Sequence, residues 1–251
     1  MYQTGGISDD HSLQVKLEKR FSSGLSLLAS YTDAKLIDDY SIISNLGRNA
    51  GPQDVYNRRA DRSISSNDIS QRFVMSYAYA FPFGHGKALG ANWNRGLDAL
   101  LDGWQMNGIL ALQTGMPLAL STQNTSNSGN NTLRPNNNGK SAALPGSAHD
   151  RLNHYFDTSV FSQPEPFTFG NTGRTLADVR GPGSRNLDFS LFKNFRIVEK
   201  ASLQFRGEAF NLFNTPVFGF PNQSLNSPSF GVITAQANSP RQLQFTLKLL
   251  F

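Results

Sequence analysis

Residues 241–251 read RQLQFTLKLLF and form the last segment of the sequence. Every second position from Leu243 to Phe251 is apolar, and the positions between them are glutamine, threonine or lysine as far as Lys248. A period of two places successive side chains on opposite faces of a β-strand. The segment therefore predicts a strand with one apolar face and one largely polar face.

Six further segments show the same alternation and predict strands upstream of this one. They lie near 13–21, 25–32, 72–81, 104–113, 186–195 and 203–208. Together the segments predict an all-β fold, an antiparallel meander of about seven long strands. The stretch from Asn94 to Asp102 looks helical, but it is short and lies beside Gly96 and Gly103. We therefore interpret it as part of a turn.

The predicted connections alternate between short and long. About three residues join the first two strands, about five join the fifth and sixth, and a medium connector joins the third and fourth. Long polar loops lie near 33–68, 121–184 and 214–239. Outer-membrane barrels combine short periplasmic turns with long external loops. We therefore expect these loops outside the cell, and the first, third, fifth and seventh strands to run inward.

Aromatic residues recur where the predicted inward strands end, at Phe21, Phe81, Phe195 and Phe251. Trp104 opens an outward strand at the same level. Such a row is typical of the aromatic girdle at a membrane interface. The sequence thus predicts an interfacial girdle of Phe21, Phe81, Trp104 and Phe195. Lys19 and Lys193 each lie two residues before a terminal Phe, where an ammonium group can reach the headgroup layer.

Hydropathy alone does not separate a membrane barrel from a soluble protein. Hydrophobic residues make up 38% of the 251 residues, and no apolar run approaches the ~18 residues typical of a membrane-spanning helix. Alternating barrel strands also average out as polar. A soluble sandwich or jelly roll whose aromatic side chains fill a core would show the same alternation. The alternating loop lengths and the shared aromatic level favour the membrane barrel.

Charge and cysteine content exclude several classes of protein. The chain has no cysteine, which excludes disulfides, thiol nucleophiles and cysteine metal ligands. The net charge is +5, but the lysines and arginines are scattered and form no basic run. We therefore expect no nucleic-acid partner.

No group of residues has the spacing of a catalytic or metal site. One segment is crowded with His149, Asp150, His154 and Asp157, but this spacing suits no known ligand pattern. A second segment, with Gly84, Gly86 and Lys87, lacks the full spacing of a phosphate-binding loop and predicts a tight turn. The nucleophile elbow G-x-S-x-G does not occur. We therefore predict that the chain is not an enzyme and has no metal or cofactor.

Two loop segments are candidates for ligand contact. Residues 121–138 are rich in Asn, Ser, Thr and Gly, so we expect this segment to be mobile. A charged cluster consists of Arg58, Arg59, Asp61 and Arg62. It would suit an acidic ligand, although a solvated loop face is the commoner role of such a cluster. The sequence identifies no ligand for either segment.

Several longer segments carry a family resemblance. They read FPFGHGK (81–87), DGWQMNGILALQTGMPL (102–118), HYFDTSVFSQP (154–164), RNLDFSLFKNF (185–195), LQFRGEAFNLFNTPVFGF (203–220) and RQLQFTLKLLF (241–251). They resemble the last strands of TonB-dependent outer-membrane receptors, in particular the Oar-like group with a carboxypeptidase-regulatory-like N-terminal domain. The resemblance covers most of the chain from about residue 68, whereas the first 68 residues match only in pattern. Its most family-like residues, which we interpret as strand-end packing and turn chemistry, are Phe210, Asn211, Phe213 and Asn214.

The resemblance implies a barrel of about 22 strands around a plug and energy-coupled uptake of a bulky solute. Some Oar-like relatives are linked instead to adhesion or export, so the direction of traffic stays open. The start, MYQTGGISDDHS, is not a signal peptide, and neither a plug nor an energy-coupling box is present. We therefore expect residues 1–251 to be a fragment, the C-terminal part of the barrel. The alternative is a secreted or periplasmic β-rich module that binds carbohydrate or mediates adhesion.

The same resemblance suggests partners. The final strand is similar to the signal read by the barrel-assembly machinery through strand addition, with Leu247, Leu249 and Phe251 as the residues that would be read. Outer-membrane lipid and lipopolysaccharide would surround the wall. The TonB complex would engage N-terminal parts that are missing from these residues.

Overall fold

The structure is a computed structural model that describes residues 5–20, 24–43, 48–50, 52–128, 133–198 and 201–251. Its elements in chain order are β1 (Ser8–Arg20), β2 (Leu25–Asp38), β3 (Ser41–Ile43), β4 (Arg48–Ala50), β5 (Ser63–Ile64), β6 (Gln71–Ala80), α1 (Arg95–Leu101), β7 (Trp104–Gln113), β8 (Asn136–Asn137), β9 (Phe161–Ser162), β10 (Ser184–Val198), β11 (Ala201–Phe210) and β12 (Gln242–Leu250). Short 3-10 turns lie at Arg58–Asp61 and Thr158–Val160.

Seven long strands form one antiparallel sheet in the order β1, β2, β6, β7, β10, β11, β12, and β5 adds to the end of β2. Each strand therefore pairs with the next long strand along the chain, which is a meander. The predicted all-β fold is confirmed. Among the described residues no helix is long and apolar enough to cross a membrane.

Two elements differ from the sequence-based expectation. Strand β2 continues to Asp38, beyond residue 33 where the first long loop was expected, because it pairs with the start of β1 and with Ser63 and Ile64 of β5. The stretch interpreted as part of a turn contains a true helix, α1. Its N-cap is Asn94, whose side-chain oxygen accepts a hydrogen bond from Leu97 N at 2.9 Å.

The connections alternate between the two ends of the sheet. The turn end carries the connections from β1 to β2, from β6 to β7 and from β10 to β11. The opposite end carries the connections from β2 to β6, from β7 to β10 and from β11 to β12, in which residues 39–43, 48–50, 52–70, 114–128, 133–183 and 211–241 are described. We call the folded unit formed by these last three connections the cap. The alternation of short and long connections expected from the sequence is therefore present.

The largest buried apolar cluster lies in the cap and not in the sheet. Its members come from the second and third long connections: Leu118, Leu120, Ala142, Tyr155, Phe156, Val160, Phe161, Leu176, Val179 and Ile233. Phe156 packs edge-on against Phe230, with the ring centroids 5.2 Å apart. The cap is thus a packed unit with its own core.

Residues 121–128 and 133–138, the described part of the segment expected to be mobile, belong to this unit. Leu133, Arg134 and Pro135 are buried. Thr122 N donates a hydrogen bond to Leu133 O at 2.9 Å, and β8 pairs with β9. The expectation was wrong for these residues because apolar side chains that are distant in sequence supply the core.

Candidate functional site

The register of the sheet separates an apolar face from a polar face. One row across the apolar face consists of Leu27, Tyr77, Gly108, Phe189, Ala209 and Leu243. Gly108 makes room in this row, because a Cβ there would lie 2.5 Å from the Tyr77 hydroxyl. The next row across the polar face consists of Ser26, Ala78, Asn107, Ser190, Glu208 and Gln244.

A groove of about 520 Å³ crosses the polar face. Five strands, from β2 to β11, line it. Small side chains such as Ser26, Ala78 and Ser190 form its floor. At one end the Arg206 guanidinium lies 4.3 Å from the ring centroid of Phe192 and 3.6 Å from a carboxylate oxygen of Glu208. The groove therefore offers aromatic, cationic and anionic groups within one space.

A second cavity of about 380 Å³ lies nearer the cap and is lined by Asn186, Asn211, Asn238 and Gln242 among others. It shares Asp188 and Phe210 with the groove. Asn211 joins the two ends of the connection from β11 to β12, because its side-chain amide donates to the carbonyl oxygens of Thr215 and Ser239 at 3.1 and 3.2 Å. Both Asn211 and Asn214 have positive φ, at 53° and 52°, which is the turn chemistry expected of these asparagines.

At the turn end the predicted girdle residues lie near one another. Phe81 N donates to Trp104 O at 3.0 Å, and Phe195 lies two residues beyond Lys193, the partner of Trp104 in β10. Phe21 lies outside the described residues. Lys193 does not extend toward solvent, because its ammonium donates to the carbonyl oxygen of Asp102 and lies 5.2 Å and 4.8 Å from the Trp104 and Phe195 ring centroids.

The turn predicted around Gly84 is present. Gly84 N donates to Leu89 O at 2.9 Å, and Gly84 and Gly86 both have positive φ. The Lys87 ammonium lies 2.7 Å from a carboxylate oxygen of Asp102. Burial raises the pKa of Asp102, but hydrogen bonds from Lys87 and from Gly103 N, with the charge of Lys87, outweigh burial and hold this pKa below its usual value. Lys87 thus anchors the turn.

The final strand β12 lies at one edge of the sheet and β1 lies at the other. Leu247 and Leu249 face outward beside Phe245, and Leu247 is 65% exposed. Phe251 follows the end of the strand and is fully exposed. The three residues predicted to be read during assembly are therefore accessible, as such a role requires.

In the cap, buried ion pairs connect the first long connection to the second. Arg174 is 1% exposed and binds the carboxylate of Asp38, the carbonyl oxygen of Asp61 and the hydroxyl of Ser41. Arg180, which is partly exposed, pairs with the buried carboxylate of Asp68. These contacts fasten the cap to the end of β2.

A second buried pair joins Asp61 to Arg134, with Nη1 and Oδ1 2.7 Å apart. Asp61 Oδ2 and Arg134 Nε have no hydrogen-bond partner in the described structure. Burial raises the pKa of Asp61, although the charge and hydrogen bond of Arg134 act in the opposite direction. The charged forms of Asp61 and Arg134 are therefore buried where water solvates them poorly.

The cluster around Arg58 is only in part the solvated loop face that the sequence favoured, because Arg59 and Arg62 are exposed whereas Asp61 is buried. Asp61 is buried against Arg134. Arg58 lies 2.6 Å from Asp39, and Arg62 lies 2.6 Å from Asp9 at the start of β1. Three of its charges are therefore paired within the protein, which does not favour the acidic-ligand interpretation.

The segment with His149 uses its carboxylates for turn capping. Asp150 accepts hydrogen bonds from Ser147, and Asp157 accepts them from Ser159, which lowers the pKa of both carboxyl groups. In the described part of the chain no His, Cys, Asp and Glu side chains are grouped in a way that would hold a metal ion.

The comparison with protein families decides the class of protein. A family model described as an outer membrane beta barrel domain matches residues 1–244. The chain belongs to this family. A search of curated proteins finds no match.

Membership in the outer membrane beta barrel family explains the two faces of the sheet. The barrel domain places the chain in the outer membrane. In a transmembrane barrel apolar side chains face lipid and polar side chains face the interior. The face with Phe189 and Leu247 is thus the lipid face, and the groove lies on the interior face. Barrel domains of this kind are typically non-enzymatic.

Sequence reasoning missed the interior groove and the ion pairs of the cap. The groove is made by small residues in neighbouring strands, and its outline depends on the register between them. Arg174 and Asp38 are 136 positions apart, so no local pattern connects them. A sequence signal for the groove was the presence of apolar residues at positions where alternation predicts polar ones, namely Leu28, Ile109, Phe192 and Phe210.

Proposed function

We propose that this barrel domain is the C-terminal part of a TonB-dependent transporter or receptor of the Oar-like group. It would form part of the wall through which a bulky solute passes in an energy-coupled step. The observation that carries the proposal is the groove on the interior face, which shares Asp188 and Phe210 with the cavity nearer the folded cap. A transporter needs such a polar inner wall, whereas a mere membrane anchor does not.

Strand direction supports a larger barrel. In the meander β1 and β12 run in the same direction, and each is an edge of the seven-strand sheet in the described part of the chain. An unpaired strand edge in lipid costs several kcal/mol per backbone group. Because β1 and β12 run in the same direction, a barrel that is closed by antiparallel pairs alone needs an odd number of further strands between them. Roughly fifteen would give the ~22 strands of outer-membrane transporters.

The proposal also gives the domain an orientation. The cap would lie outside the cell, and the turn end with Phe81, Trp104 and Phe195 would lie at the periplasmic interface. In that orientation Phe251 reaches the periplasm, where the barrel-assembly machinery would read Leu247, Leu249 and Phe251. Lipopolysaccharide would surround the outer rim, and the TonB complex would act through parts outside these residues.

The alternative of a secreted or periplasmic binding module is not favoured. Such a module would leave the apolar side chains of β1 and β12 in water, among them Leu13, Leu17, Phe245 and Leu247. Contiguous apolar patches of this size are uncommon on soluble monomers.

Solute depletion from the growth medium tests the transport proposal. Spent medium of the parent bacterium, of a strain deleted for the gene, and of the parent treated with a protonophore is compared by mass spectrometry. We expect at least one solute that the parent depletes and that both other cultures leave in the medium. If deletion changes no solute, or if the protonophore has no effect on the solute that deletion affects, energy-coupled uptake is wrong.

A further inference from the structure

An apolar stripe crosses the interior face of the barrel wall. Leu28 of β2, Ser76 of β6, Ile109 of β7 and Asp188 of β10 form one cross-strand row. Phe210 of β11 extends the row beside Asp188, one residue beyond the pair of Phe189 with Ala209. The exposed fractions of Leu28, Ile109 and Phe210 are 38%, 51% and 43%. Neighbouring strands are about 4.8 Å apart, so the stripe is roughly 19 Å long. A row of exposed apolar side chains is unusual on a face that is otherwise polar, which indicates a specific role for it.

Asp188 places a carboxylate inside this stripe, between Ile109 and Phe210. One of its oxygens accepts hydrogen bonds from the Asn186 side chain and from Asn211 N, both at 2.9 Å. Both donors are neutral, and the described side chains form no ion pair with Asp188. The carboxylate is thus oriented by its neighbours but not neutralised by them.

Asp188 and Phe210 also mark the point where two cavities meet. Both residues line the groove in the middle of the wall and the cavity nearer the cap. A solute that moved from the cap along this wall would pass them. Glu208, in the next row, adds a second carboxylate, which forms an ion pair with Arg206.

We propose that the stripe of Leu28, Ile109 and Phe210 with Asp188 binds organic cations, in which an amine or guanidinium group is attached to an apolar body. The cation pairs with the Asp188 carboxylate, and the apolar body lies along the stripe. This inference rests on the proposed function, because it assumes that the interior face is open to the transported solute. It adds the chemical class of that solute and the place where it binds.

Equilibrium binding to the full-length protein purified from outer membranes tests the site. The probes are dansylcadaverine, which carries an ammonium group, and dansylglycine, which carries a carboxylate on the same fluorophore. We expect the cationic probe to bind about tenfold more tightly than the anionic one. Asp188→Asn should remove this preference, because the amide keeps the hydrogen bond from Asn211 N and loses the charge.

Two further variants separate the stripe from unspecific partition of the fluorophore. Phe210→Ala should weaken the binding of both probes to a similar degree, since it removes apolar contact and no charge. Thr246→Ala, on the same face of β12 but outside the groove, should change neither affinity. Equal affinities for the two probes, no binding of the cation, or a preference that survives Asp188→Asn would each overturn the proposal.

The outcomes are distinct from those of the transport test. Binding is measured without an energy source, so a cation preference that depends on Asp188 supports the site even if uptake proves independent of the proton gradient. Conversely, energy-dependent depletion of a neutral or anionic solute would support the transporter while the binding assay refutes this site.

Discussion

Gly170 lies where two segments of the cap approach each other closely. A Cβ at this position would clash with the carbonyl oxygens of Arg134 and Pro135, which are backbone atoms and cannot rotate away. Its own carbonyl oxygen accepts a hydrogen bond from Gln53 at 2.7 Å, so the backbone is fixed on the other side as well. We predict that Gly170→Ala destabilises the cap by about 1–3 kcal/mol or more.

Protease resistance of the cap in intact cells is the measurement for Gly170→Ala. Gly6→Ala is the control, because the nearest atom to its Cβ, Asp39 Oδ1, would be 3.8 Å away. Cleavage within 114–183 should increase for the first variant and stay at the parent level for the second. Equal resistance of both variants would show that the close approach at Gly170 is not required.

Arg174 carries a second prediction on single residues. Removing its side chain leaves the buried carboxylate of Asp38 without its counter-ion, which typically costs about 3–5 kcal/mol. We therefore expect Arg174→Ala to lower the midpoint of thermal unfolding strongly, and Asp38→Asn in the same chain to restore part of the loss. The exposed pair Lys16–Glu18 serves as the control, since surface pairs contribute about 0–1 kcal/mol. A loss no larger than that of Glu18→Gln would contradict the role of Arg174.

These buried residues mark the limit of what the sequence could predict. Leu118, Phe156 and Ile233 share one core but follow no period along the chain. The local sequence pattern therefore predicts only that they lie in loops. The burial of Asp61 in the charged cluster near Arg58 was missed for the same reason, because its partner Arg134 is 73 positions away. Long-range contacts of this kind become visible only when the strands have placed the connections side by side.

Strands were predictable because each of them carries its own pattern. In β12 the alternation from Leu243 to Leu249 specifies both the element and the face that meets lipid. Where part of a strand lacks that pattern, the predicted strand was too short. The end of β2 does not alternate, and it continues to Asp38 because β1 and β5 supply hydrogen-bond partners. The stretch that contains α1 looked helical but was interpreted as part of a turn, because a single capped helix of 7 residues has too little sequence to distinguish it from a turn.

Strand β12 also provides a test of which face meets the membrane. Leu247 pairs with Phe205 on the apolar face, whereas Gln244 pairs with Glu208 on the polar face. Arginine on a lipid face at mid-depth costs about 2–4 kcal/mol. We predict that Leu247→Arg lowers the free energy of unfolding in lipid vesicles by this amount and that Gln244→Arg, which gains a carboxylate neighbour, changes it little. If both variants are equally stable, the assignment of the lipid face is wrong.

On the scale of the molecule the structure divides into a thin wall and a thick cap. The wall is a single sheet whose apolar face finds its partner in lipid, so it needs no core of its own. The cap must remain folded in water, and it does so with an apolar cluster and buried Asp–Arg pairs. The described part of the cap is therefore a packed unit and not a set of separate loops.

The opposite positions of cap and turns lead to a prediction about sidedness. Gly139 lies in the cap and Gly86 lies in the turn end, both have positive φ, and a Cβ at either would meet nothing within 4 Å. The chain has no cysteine of its own, so Gly139→Cys and Gly86→Cys form a matched pair of single-thiol variants with similar backbone strain. We expect a membrane-impermeant maleimide to label Gly139→Cys in intact cells and Gly86→Cys only after the outer membrane is opened. The reverse pattern would place the cap in the periplasm, and the barrel would then present its groove to solutes from the other side.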